Sequence, residues 1–362
     1  MQGGTRNKMA EHRFIIDSTA RILVTGAGGF IGHRVVQSLR RLGFTKLRCL
    51  VRKPCHVSAL GITRDVPGID DLEILVGDLA SRDDCRKAVS GTSLIYHLAA
   101  GMGRSRDRIE VDSVAATRNL LEEAAKDENV RRFALVSSFA VYDTSQLKAG
   151  AVLDERCPVE GGLQGGLDPY SYGKVRQEQL LRGYRTDERL RYTIVRPGVV
   201  YGPGMKEMSG RVGIRRLGLF LHFGGANLLP LTYVENCADA IALAGLVGGV
   251  DQEAFNLVDD DLISSAEFLR LYKANVEPLR SVYVPRIASY MLCYLGEKIV
   301  RWSSARSALP LSRKRWSNDW KGHRYSNEKA KRLLGWKPAV SMNEGLERYH
   351  QYCNMESSEW SA

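Results

Sequence analysis

Three regularly spaced glycines constrain this chain more than any other feature. Gly26, Gly29 and Gly32 lie in the segment Thr25–Gly32, which reads TGAGGFIG between a short apolar run and a helical pattern. Glycine permits a tight turn and lets the backbone approach a pyrophosphate at the positive end of a helix. A glycine triad alone is a weak signal, but a strand before it and a helix after it supply the confirming context. The segment therefore predicts a dinucleotide-binding turn.

Short β-rich runs alternate with helical stretches from residue 21 onward. The candidate strands are Ile22–Thr25, Leu47–Val51, Leu72–Val76, Leu94–Leu98, Phe133–Val136, Tyr192–Val195 and Phe255–Val258. This alternation predicts a parallel sheet, and the near-continuous apolar strands indicate that helices cover both faces. The sequence therefore predicts an α/β fold, a Rossmann-type doubly wound parallel sheet with a smaller, interleaved C-terminal substrate lobe.

Changes in composition along the chain suggest its boundaries. Residues 1–20 are polar apart from a three-residue apolar patch, so we expect a disordered tail. We assign residues 21–200 to an NAD(P)-binding Rossmann domain, with residues 232–260 returning to the sheet. Glycine-rich turns and a long helical, basic region place most of residues 201–348 in the substrate lobe, and we expect residues 349–362 to be a tail.

The composition excludes several classes of protein. The chain has 362 residues, of which 44% are hydrophobic and 26% charged, a balance typical of a globular protein. Its seven cysteines are scattered without a CxxC pair or zinc-type spacing, which favours the reducing cytoplasm and predicts no metal site. We find no run of roughly 18 apolar residues, so we expect no membrane-spanning helix.

Basic residues outnumber acidic ones, 52 against 41, and they cluster near the C-terminus. Between Arg301 and Lys337, eleven Lys or Arg stand against two acidic residues, a net charge of +9. Such a segment can be a solvated face, or it can meet a diphosphate-bearing substrate, a membrane surface or nucleic acid. No nucleic-acid-binding module accompanies it, so we expect no nucleic-acid partner. The apolar run Tyr290–Leu295 favours a buried helix, with peripheral membrane contact as the alternative.

The end of the second predicted strand distinguishes NADP from NAD. An acidic residue there would accept hydrogen bonds from the ribose hydroxyls, whereas an arginine accommodates a 2′-phosphate. The chain has Arg52 and Lys53 at this point and no acid, which favours NADP, with NAD as the alternative. Asp78, after the third strand, is expected near the adenine. We interpret His97, which ends the fourth strand, as a packed side chain rather than a catalytic base.

Seven motifs together resemble the extended short-chain dehydrogenase/reductase family, also called the NAD-dependent epimerase/dehydratase family. They are TGAGGFIG (25–32), GDL (77–79), YHLAA (96–100), SSFAVY (137–142), YSYGK (170–174), RPGVVYGPG (196–204) and LGWKP (334–338). The resemblance implies an enzyme of the Ser-Tyr-Lys type that uses NADP or NAD. It implies these cofactor-binding residues: Gly26, Gly29, Phe30, Ile31, Gly32, Arg52, Asp78, Leu79, Leu98, Ala99, Ala100, Tyr170, Lys174 and Pro197.

The resemblance places the family's catalytic groups at Ser138, Tyr170 and Lys174. Asp168 followed by proline predicts a helix start, which puts Tyr170 and Lys174 one turn apart on the same face. A phenol is a poor base at neutral pH, and a fixed ammonium beside it favours the phenolate. Lys174 would also hold the nicotinamide ribose, and Ser138 would hydrogen-bond the reacting oxygen. Tyr172 has no lysine four residues later, so we do not assign it this role.

The residues after Ser138 narrow the choice of reaction. The family's dehydratases carry an Asp-Glu pair there, and its decarboxylating members need Glu at the second position. This chain has Phe139 and Ala140 instead. We therefore expect reversible alcohol–ketone chemistry, as performed by a reductase, a dehydrogenase or an epimerase.

Three arginines are the candidate substrate-binding residues. Arg211, Arg215 and Arg216 lie in a stretch that we predict to be helical, and arginine binds phosphate through paired hydrogen bonds; a solvated helix face is the alternative. We predict an NAD(P)-dependent oxidoreductase or epimerase that acts on a nucleotide-activated sugar, as a cytoplasmic homodimer. Two alternatives stay open: a 3β-hydroxysteroid-dehydrogenase-like reductase of a lipophilic alcohol or ketone, and a non-catalytic dinucleotide-binding scaffold.

Overall fold

The computed structural model of the chain describes residues 14–53, 72–101, 103, 105–161, 168–184, 190–206, 208–303 and 312–359. The strands in these ranges are β1 (Ile22–Thr25), β2 (Leu47–Val51), β3 (Leu72–Val76), β4 (Leu94–His97), β5 (Arg132–Val136), β6 (Val152–Leu153), β7 (Tyr192–Pro197), β8 (Val199–Tyr201), β9 (Gly213–Arg216), β10 (Leu219–His222), β11 (Leu231–Tyr233), β12 (Ala254–Leu257), β13 (Ser281–Tyr283) and β14 (Arg324–Tyr325).

The helices in the described residues are α1 (Gly32–Arg41), α2 (Arg82–Val89), α3 (Arg106–Ile109), α4 (Ala116–Ala124), α5 (Pro169–Arg182), α6 (Val234–Leu246), α7 (Ser265–Asn275), α8 (Arg286–Ser303), α9 (Arg313–Asp319), α10 (Glu328–Leu334) and α11 (Met342–Glu359). A π-helical stretch, Glu110–Ala115, joins α3 to α4.

Seven strands form one parallel sheet. Their order is β3–β2–β1–β4–β5–β7–β12, and each neighbouring pair runs parallel. The chain first adds strands on one side of β1 and then crosses to the other side. The carboxyl ends of β1 and β4 therefore flank a crevice, which is where open parallel sheets bind ligands. This is the doubly wound, Rossmann-type sheet that the sequence predicts.

The predicted strand positions agree with the observed ones. β1, β2 and β3 have the predicted bounds, and the other four differ by one or two residues at their ends. β1, β5 and β7 are buried along their whole length because helices cover both of their faces. β3 lies at the edge of the sheet and is only partly buried.

Helices cover both faces of the sheet. On one face, α1 and α6 pack on the strands through residues such as Val35, Leu39 and Ile241. On the other face, α2, α4 and α5 pack through residues such as Leu120 and Leu181. The sheet is thus the middle layer of three, and its strands have apolar side chains on both sides for that reason.

A separate apolar cluster forms the smaller lobe. Tyr201, Phe268 and Tyr349 bring β8, α7 and α11 into contact in this cluster. β9, β10 and β13 form a three-stranded sheet, and β8–β11 and β6–β14 form two-stranded ones. The lobe is interleaved with the large sheet, because the chain leaves it to form α6 and β12 and then returns.

Two segments that the sequence predicts as tails are partly folded. Phe14 forms an antiparallel bridge with Val247, and its ring lies 6.0 Å from that of Phe44. At the other end, α11 continues to Glu359 and buries Tyr349. The predicted tails are wrong over these stretches, because apolar side chains that look isolated in the sequence find partners on distant elements.

Candidate active site

A cavity of about 250 Å³ lies at the carboxyl ends of the strands on both sides of β1. It is lined by Gly26, Gly28, Gly29, Leu50, Val51, Arg52, Gly77, Asp78, Leu79, Leu98, Ala99, Ala100, Asp112 and Ala116. The turns after β1, β2, β3 and β4 supply most of these residues, and the helical stretch after β4 supplies the rest. Eight of the predicted cofactor residues line it: Gly26, Gly29, Arg52, Asp78, Leu79, Leu98, Ala99 and Ala100.

The glycine turn leaves no room for side chains. Gly26 has a φ angle of +70°, and a Cβ at this position would lie 2.9 Å from the backbone nitrogen of Ala99. A Cβ on Gly32 would overlap the carbonyl oxygen of Gly26. Helix α1 starts at Gly32 with no acidic residue in its first turn, so no carboxylate competes for its positive end. The turn therefore fits the pyrophosphate of a dinucleotide.

Six lining residues were missed by the sequence interpretation. Gly28, Leu50, Val51 and Gly77 are neighbours of predicted residues, so the same motifs could have found them. Asp112 and Ala116 have a different origin, because they come from the π-helical stretch and the helix after it. The register of a π-helical turn cannot be read from a helical pattern, and π-helical turns are frequent at functional sites.

Four of the predicted cofactor residues, in the glycine turn, at the start of α1 and at the end of β7, do not line this cavity: Phe30, Ile31, Gly32 and Pro197. The ring of Phe30 faces Gly204, and Ile31 packs against the core of the large sheet. Pro197 ends β7, paired with Leu257. Tyr170 and Lys174 do not line the cavity either, and they lie at the catalytic cluster described next.

The start of α5 is built as the sequence predicts. The Asp168 carboxylate accepts a hydrogen bond from the Ser171 amide at 3.1 Å, and Pro169 occupies the first helical position. An aspartate cap satisfies an amide that the helix leaves unpaired, and proline needs no such partner. Tyr170 and Lys174 consequently lie one turn apart on this helix.

The three predicted catalytic residues come together at the end of β5. The Tyr170 phenol lies near the hydroxyl of Ser138, which follows β5 by two residues. Lys174 is 4% exposed, and its Nζ donates to the carbonyl oxygen of Val136 at 2.7 Å. The phenol and the hydroxyl are therefore placed to meet one substrate oxygen, with the lysine buried behind them.

Burial works against the charged forms of both ionisable groups. It raises the pKa of Tyr170, and the interaction with the Ser138 hydroxyl opposes this. Burial also lowers the pKa of Lys174 to about 8, an effect that the carboxylate of Glu178 opposes. As the pH rises, Lys174 therefore loses its proton before Tyr170 does. An ammonium on Lys174 can favour the Tyr170 phenolate only while its environment keeps it protonated.

His97 is a packed histidine, as the sequence predicts. Its ring nitrogens lie 2.8 Å from the hydroxyl oxygens of Thr25 and Thr117. Burial lowers its pKa to about 3, so the ring is neutral at physiological pH. It connects β1, β4 and α4 beneath the cavity.

The three candidate substrate arginines do not form one cluster. Arg215 and Arg216 lie on strand β9, so their side chains point to opposite faces. Arg215 pairs with Glu277 at 2.8 Å, and Arg211 lies 3.4 Å from Asp319. The predicted helix is wrong, because residues 213–216 form strand β9, which pairs with β10 in a tight hairpin. The spacing of the arginines in the sequence does not indicate this hairpin.

Part of α8 is exposed although the sequence favours a buried helix. Cys293 is buried, but Ile287 is 81% exposed, and Met291, Leu292 and Leu295 are each more than 40% exposed. No described helix is long and apolar enough to cross a membrane. In the described ranges, no group of three or more His, Cys, Asp or Glu side chains is arranged to hold a metal ion.

The sheet order, the glycine turn and the cavity together define a Rossmann-type, dinucleotide-binding protein. The sequence profile of the NAD dependent epimerase/dehydratase family matches residues 22–257. The chain belongs to this family of NAD-dependent enzymes, as its sequence motifs indicate.

Two curated relatives match nearly the whole chain. A 2-alkyl-3-oxoalkanoate reductase of Stenotrophomonas maltophilia (strain K279a) is 27% identical over 343 residues, which cover 91% of this chain and 98% of the relative. The decarboxylating sterol-4-alpha-carboxylate 3-dehydrogenase of Mus musculus is 25% identical over 357 residues, 92% of this chain and 91% of the relative. These relatives share the family but differ in substrate.

A solved structure confirms the fold. The UDP-glucuronic acid 4-epimerase of Bacillus cereus, in complex with UDP-glucuronic acid and NAD, superposes with a TM-score of 0.67 at 19% identity. The match covers 93% of this chain and 99% of the epimerase chain.

Gly26→Ala tests the cavity as the dinucleotide site. The new methyl group would meet the Ala99 backbone in the glycine turn, so we expect the affinity for both NADP and NAD to fall by at least ~10-fold. Isothermal titration calorimetry measures this. Gly43→Ala is the matched control, because Gly43 also has a positive φ (+93°), but a Cβ added there would have no atom within 4 Å and Gly43 does not line the cavity. Equal affinities of Gly26→Ala and wild type would contradict the assignment.

Proposed function

We propose that this protein is an NAD(P)-dependent oxidoreductase that interconverts an alcohol and a ketone. One observation carries the proposal: the Tyr170 phenol lies near the Ser138 hydroxyl, and Lys174 is buried one helical turn away. The residues that would hold the dinucleotide are those of the glycine turn, together with Arg52 and Asp78. When bound, the dinucleotide supplies or accepts a hydride.

The side chains of the site have separate tasks in this chemistry. Tyr170 Oη gives its proton to the substrate oxygen in reduction and takes one from it in oxidation. Ser138 Oγ donates a hydrogen bond to the same oxygen and orients it. The Lys174 ammonium stabilises the Tyr170 phenolate. A non-catalytic scaffold would have no use for these three groups. An epimerase would use them twice, to oxidise one carbon of its substrate and then to reduce the same carbon.

We propose a lipophilic 3-oxo or 3-hydroxy carboxylic acid as the substrate. The names of both curated relatives place a carboxylate on the carbon next to the reacting carbon, and both describe largely apolar compounds. The exposed apolar side of α8 is consistent with a lipophilic substrate or a peripheral membrane contact.

A nucleotide-activated sugar is the alternative substrate. The sequence favours this substrate mainly because Arg211, Arg215 and Arg216 could bind a diphosphate together. In the structure, however, Arg211 pairs with Asp319 and Arg215 pairs with Glu277, at two separate places. The Bacillus cereus epimerase, which has a similar fold, binds UDP-glucuronic acid, and this supports a nucleotide sugar as the alternative substrate. A homodimer and a cytoplasmic location stay predictions.

A small panel of compounds separates the two substrate classes. We expect the protein to oxidise NADPH in the presence of a 2-alkyl-3-oxoalkanoate, measured by the loss of NADPH absorbance. We expect UDP-glucose and UDP-glucuronic acid to leave the melting temperature unchanged, because only a ligand that binds the folded state raises it. A raised melting temperature with either UDP-sugar, and no NADPH oxidation with the oxo acid, would reverse the choice.

Tyr170→Phe tests the acid–base role. The ring still packs, but the proton donor is gone, so we expect turnover to fall on the order of 10²–10⁴-fold while the Kd of the cofactor stays nearly unchanged. Turnover is measured on the substrate that the panel identifies. Tyr172→Phe is the control, because the Tyr172 hydroxyl donates to Glu110 at 2.8 Å rather than meeting Ser138. Equal losses in the two variants would exclude Tyr170 as the acid–base residue.

Arg52→Ala tests the preference for NADP. Arg52 is exposed at the rim of the cavity, and charge-assisted hydrogen bonds to a 2′-phosphate contribute about 1.5–3 kcal/mol. We expect the Kd for NADP to rise about 10- to 100-fold and the Kd for NAD to change little. Lys53→Ala is the control, because Lys53 is exposed beside Arg52 but does not line the cavity. If wild type binds NAD as tightly as NADP and Arg52→Ala changes neither affinity, Arg52 is not the selecting residue.

A further inference from the structure

A buried carboxylate lies one helical turn beyond Lys174. The side chain of Glu178 is 1% exposed. Its Oε1 accepts hydrogen bonds from Ser137 Oγ at 2.7 Å and Arg196 Nε at 2.8 Å, and its Oε2 accepts one from Arg196 at 2.6 Å. A carboxylate with this many charge-assisted and neutral donors is held in one position.

The partners of Glu178 belong to the strands that carry the candidate active site. Ser137 precedes Ser138, directly after the β5 carbonyl that accepts from Lys174. Arg196 is the next-to-last residue of β7, and it also donates to the Tyr142 hydroxyl at 2.9 Å. Glu178 itself is on α5, the helix of Tyr170 and Lys174. One carboxylate thus joins β5, β7 and α5 behind the site.

Glu178 also acts on Lys174 through its charge. Burial lowers the pKa of Lys174 to about 8, and the negative charge of Glu178 is the influence that opposes this. The proposed chemistry needs Lys174 as an ammonium near neutral pH. The charge of Glu178 therefore acts in the direction that the reaction requires.

The charged groups on the elements that pack against α5 do not raise the pKa of Lys174 in place of Glu178. His97 on β4 is neutral, because burial lowers its pKa to about 3. On the helical stretch packed against α5, Glu110 accepts a hydrogen bond from Tyr172 and Asp112 lies 3.9 Å from Arg108. Among the described residues, Glu178 is the carboxylate that raises the pKa of Lys174.

Two cationic side chains meet Glu178 itself. Arg196 is its close partner, and Arg182 on the same helix lies 3.4 Å from its Oε2. Both arginines are paired with Glu178, so removal of Glu178 would leave them without this partner. Lys174 would at the same time lose the carboxylate that raises its pKa.

We propose that Glu178 is a positioning residue of the Ser138–Tyr170–Lys174 site: it fastens β5 and β7 to α5 and keeps Lys174 in its ammonium form. This inference rests on the proposed function. A merely structural ion pair would hold the same elements together but would have no effect on the protonation of Lys174.

Titration of Lys174 in Glu178→Gln separates the two roles. Full-length protein containing ¹³C-labelled lysine is titrated by NMR, and the Lys174 signal is assigned by its loss in Lys174→Arg. We expect the midpoint of the Lys174 titration to move about one pH unit lower in Glu178→Gln. Glu178→Asp, which keeps the carboxylate, is expected to restore most of this change. Glu123→Gln is the control, because Glu123 is a buried carboxylate on α4 that pairs with Lys126.

A second variant covers the case in which Glu178→Gln does not fold, because that substitution leaves Arg196 buried without its partner. The double variant Glu178→Gln/Arg196→Gln avoids a buried Arg196 without its partner and is titrated in its place. A lower Lys174 midpoint with no change in Glu123→Gln supports the proposal. An unchanged midpoint in a folded variant overturns it. The titration needs no substrate, so failure of the substrate panel leaves this result standing, and failure here leaves the test of Tyr170 unaffected.

Discussion

The close approach of two backbones is the constraint on which this structure depends. The turn after β1 meets the end of β4 at Gly26 and Ala99, with no room for a side chain between them. This contact brings the carboxyl ends of β1 and β4 together and directs α1 away from the crevice. Gly32, the first residue of α1, packs on the same turn, so the helix starts next to the turn that lines the cavity. The shape of the candidate dinucleotide site depends on Gly26, Gly32 and Ala99.

Buried polar contacts connect the glycine turn to the helix of the candidate catalytic residues. Thr25 at the end of β1 contacts His97, His97 contacts Thr117 on α4, and Gln177 on α5 donates to Thr117 at 2.8 Å. Gln177 also lies 3.4 Å from the carbonyl oxygen of Ala99. Glu178, the next residue of α5, contacts Ser137 and Arg196 at the ends of β5 and β7. These contacts fix the position of Tyr170 and Lys174 relative to the cavity.

The fold and the substrate are specified by different parts of the chain. The relatives that share this family are named for very different compounds, so function has to be argued from the site. The hydride chemistry that we propose rests on Ser138, Tyr170 and Lys174, and the proposed substrate class depends on the lobe. Arg211 and Arg215 show the difficulty, because both suit a diphosphate by residue type but are engaged in ion pairs elsewhere.

The sequence by itself determined the strands of the large sheet, the glycine turn and the start of α5 at Asp168. Each of these depends on residues within a few positions of one another, through apolar runs, turn conformation or helix capping, so a local pattern is sufficient. Only the tertiary structure decided the place of Asp112 in the cavity, the pairing of the lobe arginines and the contacts of Glu178. Those contacts join residues that are far apart in the chain, and packing selects them from many partners of equal charge or polarity. The sequence therefore predicts which groups can do the chemistry, and the packing of distant elements decides which of them are placed and charged to do it.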